Sequence, residues 1–254
     1  TGHYWLSIFS FLHKLGFKIT AFNPMQSDAL RNFYIRKTKT DVKDAYLIAQ
    51  VIRIDSPDET PFVEEDLLQL RQLERLRYAL VDQTSDVKRK IIALLDQVFP
   101  EYADVFGASS TEILLKYPLP EDLLTIDTDQ LAELLYRVSK GRYGQWRARN
   151  KAELLKNSAQ NSFGISIGTD VFKMQIHLLL EQISLFEKQL SEIEKMMSEL
   201  SNRQEHFLTS ISGISDVTAA VILGEIGSIN RFERPGQLVA FAGLDASVHQ
   251  SGDF

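Results

Sequence analysis

A seam of apolar residues, Phe172, Ile176, Leu179, Ile183, Phe186, Leu190, Ile193, Met197 and Leu200, advances by steps of four and three without a gap. Such spacing keeps one helix face apolar over about four heptads, and that face needs another helix to cover it. The pattern predicts a coiled coil, within the chain or between two copies, and reads as a structural arm rather than a cofactor box. Leu70, Leu73, Leu80, Val87, Ile91, Leu94 and Val98 form a second run with 3-and-4 spacing. Arg77 and Thr84 interrupt it, and Pro100 ends it. Residues 101–135 read as shorter helices broken by Gly107, Pro118 and Pro120.

The first fifty residues differ. Leu6, Ile8, Phe9, Leu12 and Leu15 have helical spacing, and Gly16 supplies a stop. Phe17-Lys18-Ile19-Thr20-Ala21-Phe22 alternates as a strand would, ending at Asn23-Pro24. A short helix over 26–33, a basic loop and a helix from Asp41 to Arg53 follow. This helix–strand–helix order predicts the remainder of an α/β domain. Ser56-Pro57-Asp58-Glu59-Thr60-Pro61 is a linker by composition. The expected division is residues 1–55, an α/β part; 62–205, a helical and coiled-coil region; and 206–254, a C-terminal domain.

No cysteine is present, so disulfides and thiolate–metal chemistry are excluded, and a cytoplasmic location is expected. His3, His13, His177, His206 and His249 contain no His-x-x-x-His pair, which argues against zinc. No apolar run approaches the roughly 18 residues of a membrane span, so no membrane partner is expected. The net charge of −6 disfavours a surface coated in nucleic acid, but the positive charge is clustered. Neither the opening Thr1-Gly2-His3-Tyr4-Trp5 nor the closing Gln250-Ser251-Gly252-Asp253-Phe254 resembles a natural terminus, so both ends are expected to be cut from a longer protein.

Several places can carry chemistry. Asp41 and Asp44 are three residues apart at a helix start, with both carboxylates on one face. They suit Mg²⁺, which takes one or two carboxylates plus water and phosphate oxygens, and equally suit ordinary helix capping. Arg36, Lys37 and Lys39 precede them as a basic loop that would favour a polyanion. Residues 137–151 hold six cations and no acid, among them Lys140, Arg142, Arg147 and Arg149, interleaved with Tyr143 and Trp146. Cations track phosphates and aromatic faces stack on bases, so the stretch suits structured or single-stranded nucleic acid. Its plainer reading is a solvated helix turn around a buried Trp. Gly213 and Ser215 centre a possible helix-hairpin-helix, whose turn amides bind a DNA phosphate, though a plain helix–turn–helix hairpin has a similar pattern. Ser251 before Gly252 is a candidate nucleophile or simply a turn.

Taken in order, these residues resemble a known family. Thr1-Gly2-His3-Tyr4-Trp5, Asn23-Pro24 and Lys39-Thr40-Asp41-x-x-Asp44-Ala45 resemble the N-terminal domain of IS-one-ten type insertion-sequence transposases. Ile211-x-Gly213-Ile214, Thr218-Ala219, Glu225-Ile226-Gly227, Arg231-Phe232, Gln237-Leu238, Ala242-Gly243-Leu244 and Ser251-Gly252 resemble its C-terminal transposase domain. The resemblance implies a RuvC-like, RNase H-like α/β nuclease domain with acids in the order Asp, Glu, Asp, Asp. It also implies a serine transposase domain, and a DNA recombinase guided by a bridge RNA. Asp41 and Asp44 would be the third and fourth acids, binding Mg²⁺, and Ser251 the nucleophile, with Ser247 a lesser match. The first two acids would lie before Thr1, so the chain is expected to be inactive alone, and a homo-oligomer joined by the coiled coil is expected. The competing readings are a non-catalytic helix-hairpin-helix binder and a RuvC-like nuclease that uses water.

Overall fold

The structure, a computed structural model, describes residues 4–21, 24–33, 40–55, 64–102, 107–140 and 142–244. It divides into two units, Thr1–Glu64 and Glu65–Phe254.

The first unit contains α1 (Trp5–Lys14), α2 (Pro24–Phe33) and α3 (Asp41–Asp55). α1 ends as its sequence requires. Gly16 takes φ +79°, and the Gly16 and Phe17 amides donate to the His13 and Leu12 carbonyls at 3.0 and 3.1 Å. This is a Schellman stop, in which a left-handed residue returns the chain to the last open carbonyls. The Thr40 hydroxyl caps α3 by accepting from the Lys43 amide at 3.4 Å, and Asp41 and Asp44 occupy its first turn. Phe9, Leu47 and Val51 are buried, while Ile8, Phe11, Leu15, Val42, Tyr46 and Ile52 remain exposed.

Phe17–Ala21 forms no strand, and among the described residues there is no strand anywhere. The expected α/β, RuvC/RNase H-like remnant is therefore corrected to helices alone. Alternation of apolar and polar residues licenses a strand only where a ladder forms, and none forms here.

The second unit is built on α4 (Glu65–Val98) and α9 (Thr169–Ser201), each about 50 Å long. They run antiparallel. Gln204 Nε2 donates to Asp66 Oδ2 at 3.4 Å, Arg77 pairs with Glu194 at 2.8 Å, and the Ile165 amide reaches the Gln97 carbonyl at 2.8 Å. The apolar seam supplies the interface: Ile176, Ile183, Ile193, Met197 and Leu200 are buried on α9, and Leu70, Leu80, Val87, Ile91 and Val98 on α4. The coiled-coil pairing is thus internal, and the seam expected to join two copies is spent within one chain. Both polar interruptions are accommodated. Arg77 makes the ion pair to α9, and the Thr84 hydroxyl bonds back to the Leu80 carbonyl at 2.7 Å.

Four shorter helices pack near the C-terminal end of α4: α5 (Ala108–Lys116), α6 (Pro120–Thr125), α7 (Thr128–Val138) and α8 (Gln145–Gln160). Pro120 sits in the first turn of α6, where its missing N–H costs nothing, and the Asp127 carboxylate caps α7 through the Asp129 amide at 2.9 Å. Phe99, Leu114, Leu123, Leu131, Leu135 and Ala152 join Ile91 and Ile176 in one core. α10 (Asp216–Ile226) packs on α4 and α9, and α11 (Pro235–Phe241) follows. A Cβ on Gly224 would lie 3.1 Å from the Arg71 amide nitrogen, so the α10 and α4 backbones approach closely and a side chain there would push one of them by a few tenths of an ångström.

The strap between α8 and α9 crosses α4 even more closely. A Cβ on Gly164 would fall 2.1 Å from the Val98 carbonyl oxygen, whereas one on Gly144 would meet nothing within 4 Å. Gly164→Ala is expected to cost about 1–3 kcal/mol, through overpacking against rigid backbone, and Gly144→Ala well under 1 kcal/mol. Thermal denaturation of the two variants checks this; equal melting points would contradict it.

Candidate functional site

The first candidate is the start of α3. Arg31 on α2 donates to Asp44 Oδ1 at 2.7 Å and also pairs with Asp28. One guanidinium therefore bridges two carboxylates and ties α2 to α3. Asp41 is exposed one turn earlier. Among the described residues no cluster of three or more His, Cys, Asp or Glu could hold a metal. The donor set fits Mg²⁺ only as a sparse, water-rich site: two carboxylates, one already sharing an oxygen with a cation. Arg36, Lys37, Lys39 and Ser251 lie outside the described residues.

The second candidate is the turn from α7 into α8. Lys140 adopts φ +51°, and the buried Ser139 pins the turn by donating to the Tyr136 carbonyl at 2.8 Å and accepting from the Tyr143 amide at 3.2 Å. This presents Lys140, Arg142 and Arg147 to solvent. Trp146 is 74% exposed, so the plain reading of a buried Trp is wrong. Tyr143 instead leans on the core, with Lys151 donating to its hydroxyl at 3.4 Å and lying 5.4 Å from its ring centre. Of the two aromatics in this stretch, Trp146 offers a free face and Tyr143 supports the turn.

The third candidate surrounds α10. Gly213 turns at φ +96° and the Ser215 hydroxyl caps α10 through the Thr218 amide at 3.2 Å. The preceding arm, Leu208–Ser210, is one 3-10 turn, so the expected helix-hairpin-helix has a single true helix. Six residues of regular helix would be needed to make the first arm comparable with α6, and the Phe207–Ile211 stretch closes after one turn.

The sequence reading missed the other end of α10. Arg71 Nε donates to the Gly224 carbonyl at 3.0 Å and its Nη2 to the Glu225 carbonyl at 3.3 Å. Arg231 Nη1 donates to the Ile226 carbonyl at 3.3 Å. Two cations thus satisfy the open carbonyls at the negative end of the helix. The Arg231 guanidinium lies 4.8 and 4.6 Å from the Phe232 and Phe241 ring centres. Burial, and then the charge of Arg71, lowers its pKa below the usual arginine range. Beneath them Glu74 is 4% exposed and its Oε2 has no hydrogen-bond partner. Burial, with the Glu225 charge and a hydrogen bond that protonated Glu74 donates to that carboxylate, pushes Glu74 up to about 7. The available signal was positional: Glu74 is four residues from Leu70, on the buried stripe of α4.

With this geometry in place, residues 1–100 match a transposase family model of the DEDD IS110 type, described as Transposase. Residues 205–254 match the model described as Transposase IS116/IS110/IS902 family. The two matches are to separate models and cover the two ends of the chain, so each end is similar to transposases. Both matched segments are similar to the IS110 group in particular. No curated protein and no solved structure matches the chain. Among the described residues no helix is long and apolar enough to cross a membrane.

Glu74 gives a pH test. Its folded pKa of about 7 lies above the ordinary 4.5, so the native state holds the extra proton between those values. That stabilisation is full below about pH 4.5 and is lost as pH rises through 7. Unfolding free energy is expected to fall by on the order of 2 kcal/mol between pH 5 and pH 8 from this group. Glu74→Gln, which keeps the donor, should flatten the profile in denaturant titrations across that range.

Proposed function

We propose that this protein cuts and rejoins DNA as the recombinase of an insertion sequence, with its helical body gripping nucleic acid. The observation that carries this reading is the pair of transposase matches flanking a helical region that exposes Trp146 and a cluster of cations. Asp41 and Asp44 fall in the first matched segment and Ser251 in the second. In this reading Asp41 and the second oxygen of Asp44 would hold Mg²⁺, which would neutralise charge on the scissile phosphate. Ser251 Oγ attacks phosphorus, its proton passes to solvent, and the bond to the departing sugar oxygen breaks as that oxygen is protonated. A serine phosphodiester remains, and attack by a second sugar hydroxyl reverses the step and releases the serine. A guide RNA rests on the family resemblance alone. Lys140, Arg142, Arg147 and Trp146 suit RNA as well as single-stranded DNA.

The Arg31–Asp44 pair favours a second reading, a non-catalytic binder, because a guanidinium already occupies one carboxylate. Ser251→Ala separates the two. Assayed in the full-length protein, a recombinase yields a protein–DNA covalent adduct on a nicked substrate, and the variant loses it. A binder yields none with either protein. Mn²⁺ titration followed by proton relaxation is expected to show weak binding that disappears in Asp41→Asn and tightens in Arg31→Ala, where the competing cation is gone. Arg142→Ala with Arg147→Ala is expected to lower the slope of log affinity against log salt by about 1 per residue. An unchanged slope would remove this face from the interface.

A further inference from the structure

A cleft of about 330 Å³ lies between α7 and α8, lined by Asp129, Glu133 and Tyr136 from α7 and Trp146 and Arg149 from α8. Its size lies at the lower end of small-ligand clefts, roughly 300–1,000 Å³. It belongs to the stretch between residues 100 and 205, which neither transposase match reaches. Two features set it apart from the basic face beside it. Trp146 and Tyr136, both exposed, offer aromatic faces at its mouth. Its charged groups are two carboxylates and one guanidinium, beside the neutral Gln145 amide and Tyr136 hydroxyl, so a phosphate entering it would meet net negative charge. What the cleft favours is a flat ring rich in N–H donors, with its phosphates outside on the cations.

Arg149 Nη2 lies 3.3 Å from Asp129 and its Nε 3.4 Å from Glu153, exposed ion pairs that place its guanidinium at the cleft. Glu133 has no ion pair among the described residues, and its carboxylate is exposed. A carboxylate accepts two parallel N–H bonds, and a guanidinium donates two. Guanine presents the complement of both: N1–H and N2–H₂ on one edge, O6 and N7 on another. Adenine and uracil lack the paired donors, and cytosine lacks the O6/N7 edge. The small Ala132 and Ala148 in the walls leave room for a ring against Trp146.

The geometry points to this cleft as a guanine-reading pocket for an unstacked base of single-stranded nucleic acid. Trp146 stacks the ring, Glu133 accepts from its N1 and N2 edge, and Arg149 donates to O6 and N7. Lys140, Arg142 and Arg147 on the adjoining turn take the flanking phosphates. The assignment rests on the proposed nucleic-acid reading and adds a base preference to it.

The chain has two tryptophans, so Trp5→Phe leaves Trp146 as the sole indole emitter. Titrating that protein with a five-nucleotide uridine RNA carrying a central guanine should quench emission saturably. Affinity should be about 5- to 10-fold tighter than for the same RNA with central inosine, which lacks the N2 amino group, or with central adenine. Glu133→Gln should remove the guanine-over-inosine preference with an unchanged melting temperature. Salt-dependent binding of all three RNAs with equal affinity would overturn the pocket while leaving the basic interface standing. Quenching by guanosine monophosphate with no RNA binding would do the reverse. Stronger quenching by Nα-acetyl-lysine amide than by guanosine monophosphate would overturn the proposal in favour of a cation-binding cleft.

Discussion

Everything in the larger unit depends on the antiparallel contact between α4 and α9. Helices of 34 and 33 residues bury matching apolar seams, and the short helices find their places only on that frame. α5 to α8 cover one end, where Phe99, Leu131 and Leu135 complete the core. α10 covers part of the same pair farther along. An isolated helix of ordinary sequence gains little by itself in water, so the seam supplies the cohesion and the propensities only permit it. The Arg77–Glu194 pair sets register at one point between two apolar stretches, which could otherwise slide by a heptad.

The docking of α10 follows different physics. Contact with α4 is close at Gly224, and it is polar where most of the unit is apolar. Arg71 satisfies two carbonyls at the helix end, and Glu74 shares its surroundings with Glu225. Polar contacts of this kind lose more on separation than apolar ones of equal area, because each buried group must find a new partner. One helix of the second transposase match is therefore joined to the frame by directional contacts whose strength varies with protonation. At the other end of the unit, the Ser139 bonds set the turn that presents the exposed cations, and on that turn a binding face depends.

In the first unit the acids at the start of α3 have dual chemistry. Thr40 performs the cap that Asp41 was a candidate for, which leaves both carboxylates free of that duty. Arg31 then takes one of them. A dipole that favours negative charge at a helix start stabilises the pair whether or not a cation binds. This is why a spacing of three residues between two acids could not by itself separate a cap from a ligand set.

The sequence by itself determined the long helices of the larger unit and the end of the first helix. The seam from Phe172 to Leu200, the run from Leu70 to Val98, the breaks at Gly107, Pro118 and Pro120, and the stop at Gly16 are all local rules of period, cap and steric freedom. It also located the cations around Trp146. Only the tertiary structure decided what those patterns pair with. The seam meets α4 of its own chain, Phe17–Ala21 forms no strand because strands exist only in ladders, and Trp146 faces solvent while Tyr143 turns inward. Glu74, Arg71 and Gly224 became notable only when α10 came to rest on α4, since burial and the approach of Glu225 come from residues about 150 positions away in the chain. Local periodicity is written in neighbouring residues; partners, burial and shifted protonation are properties of contacts between distant ones.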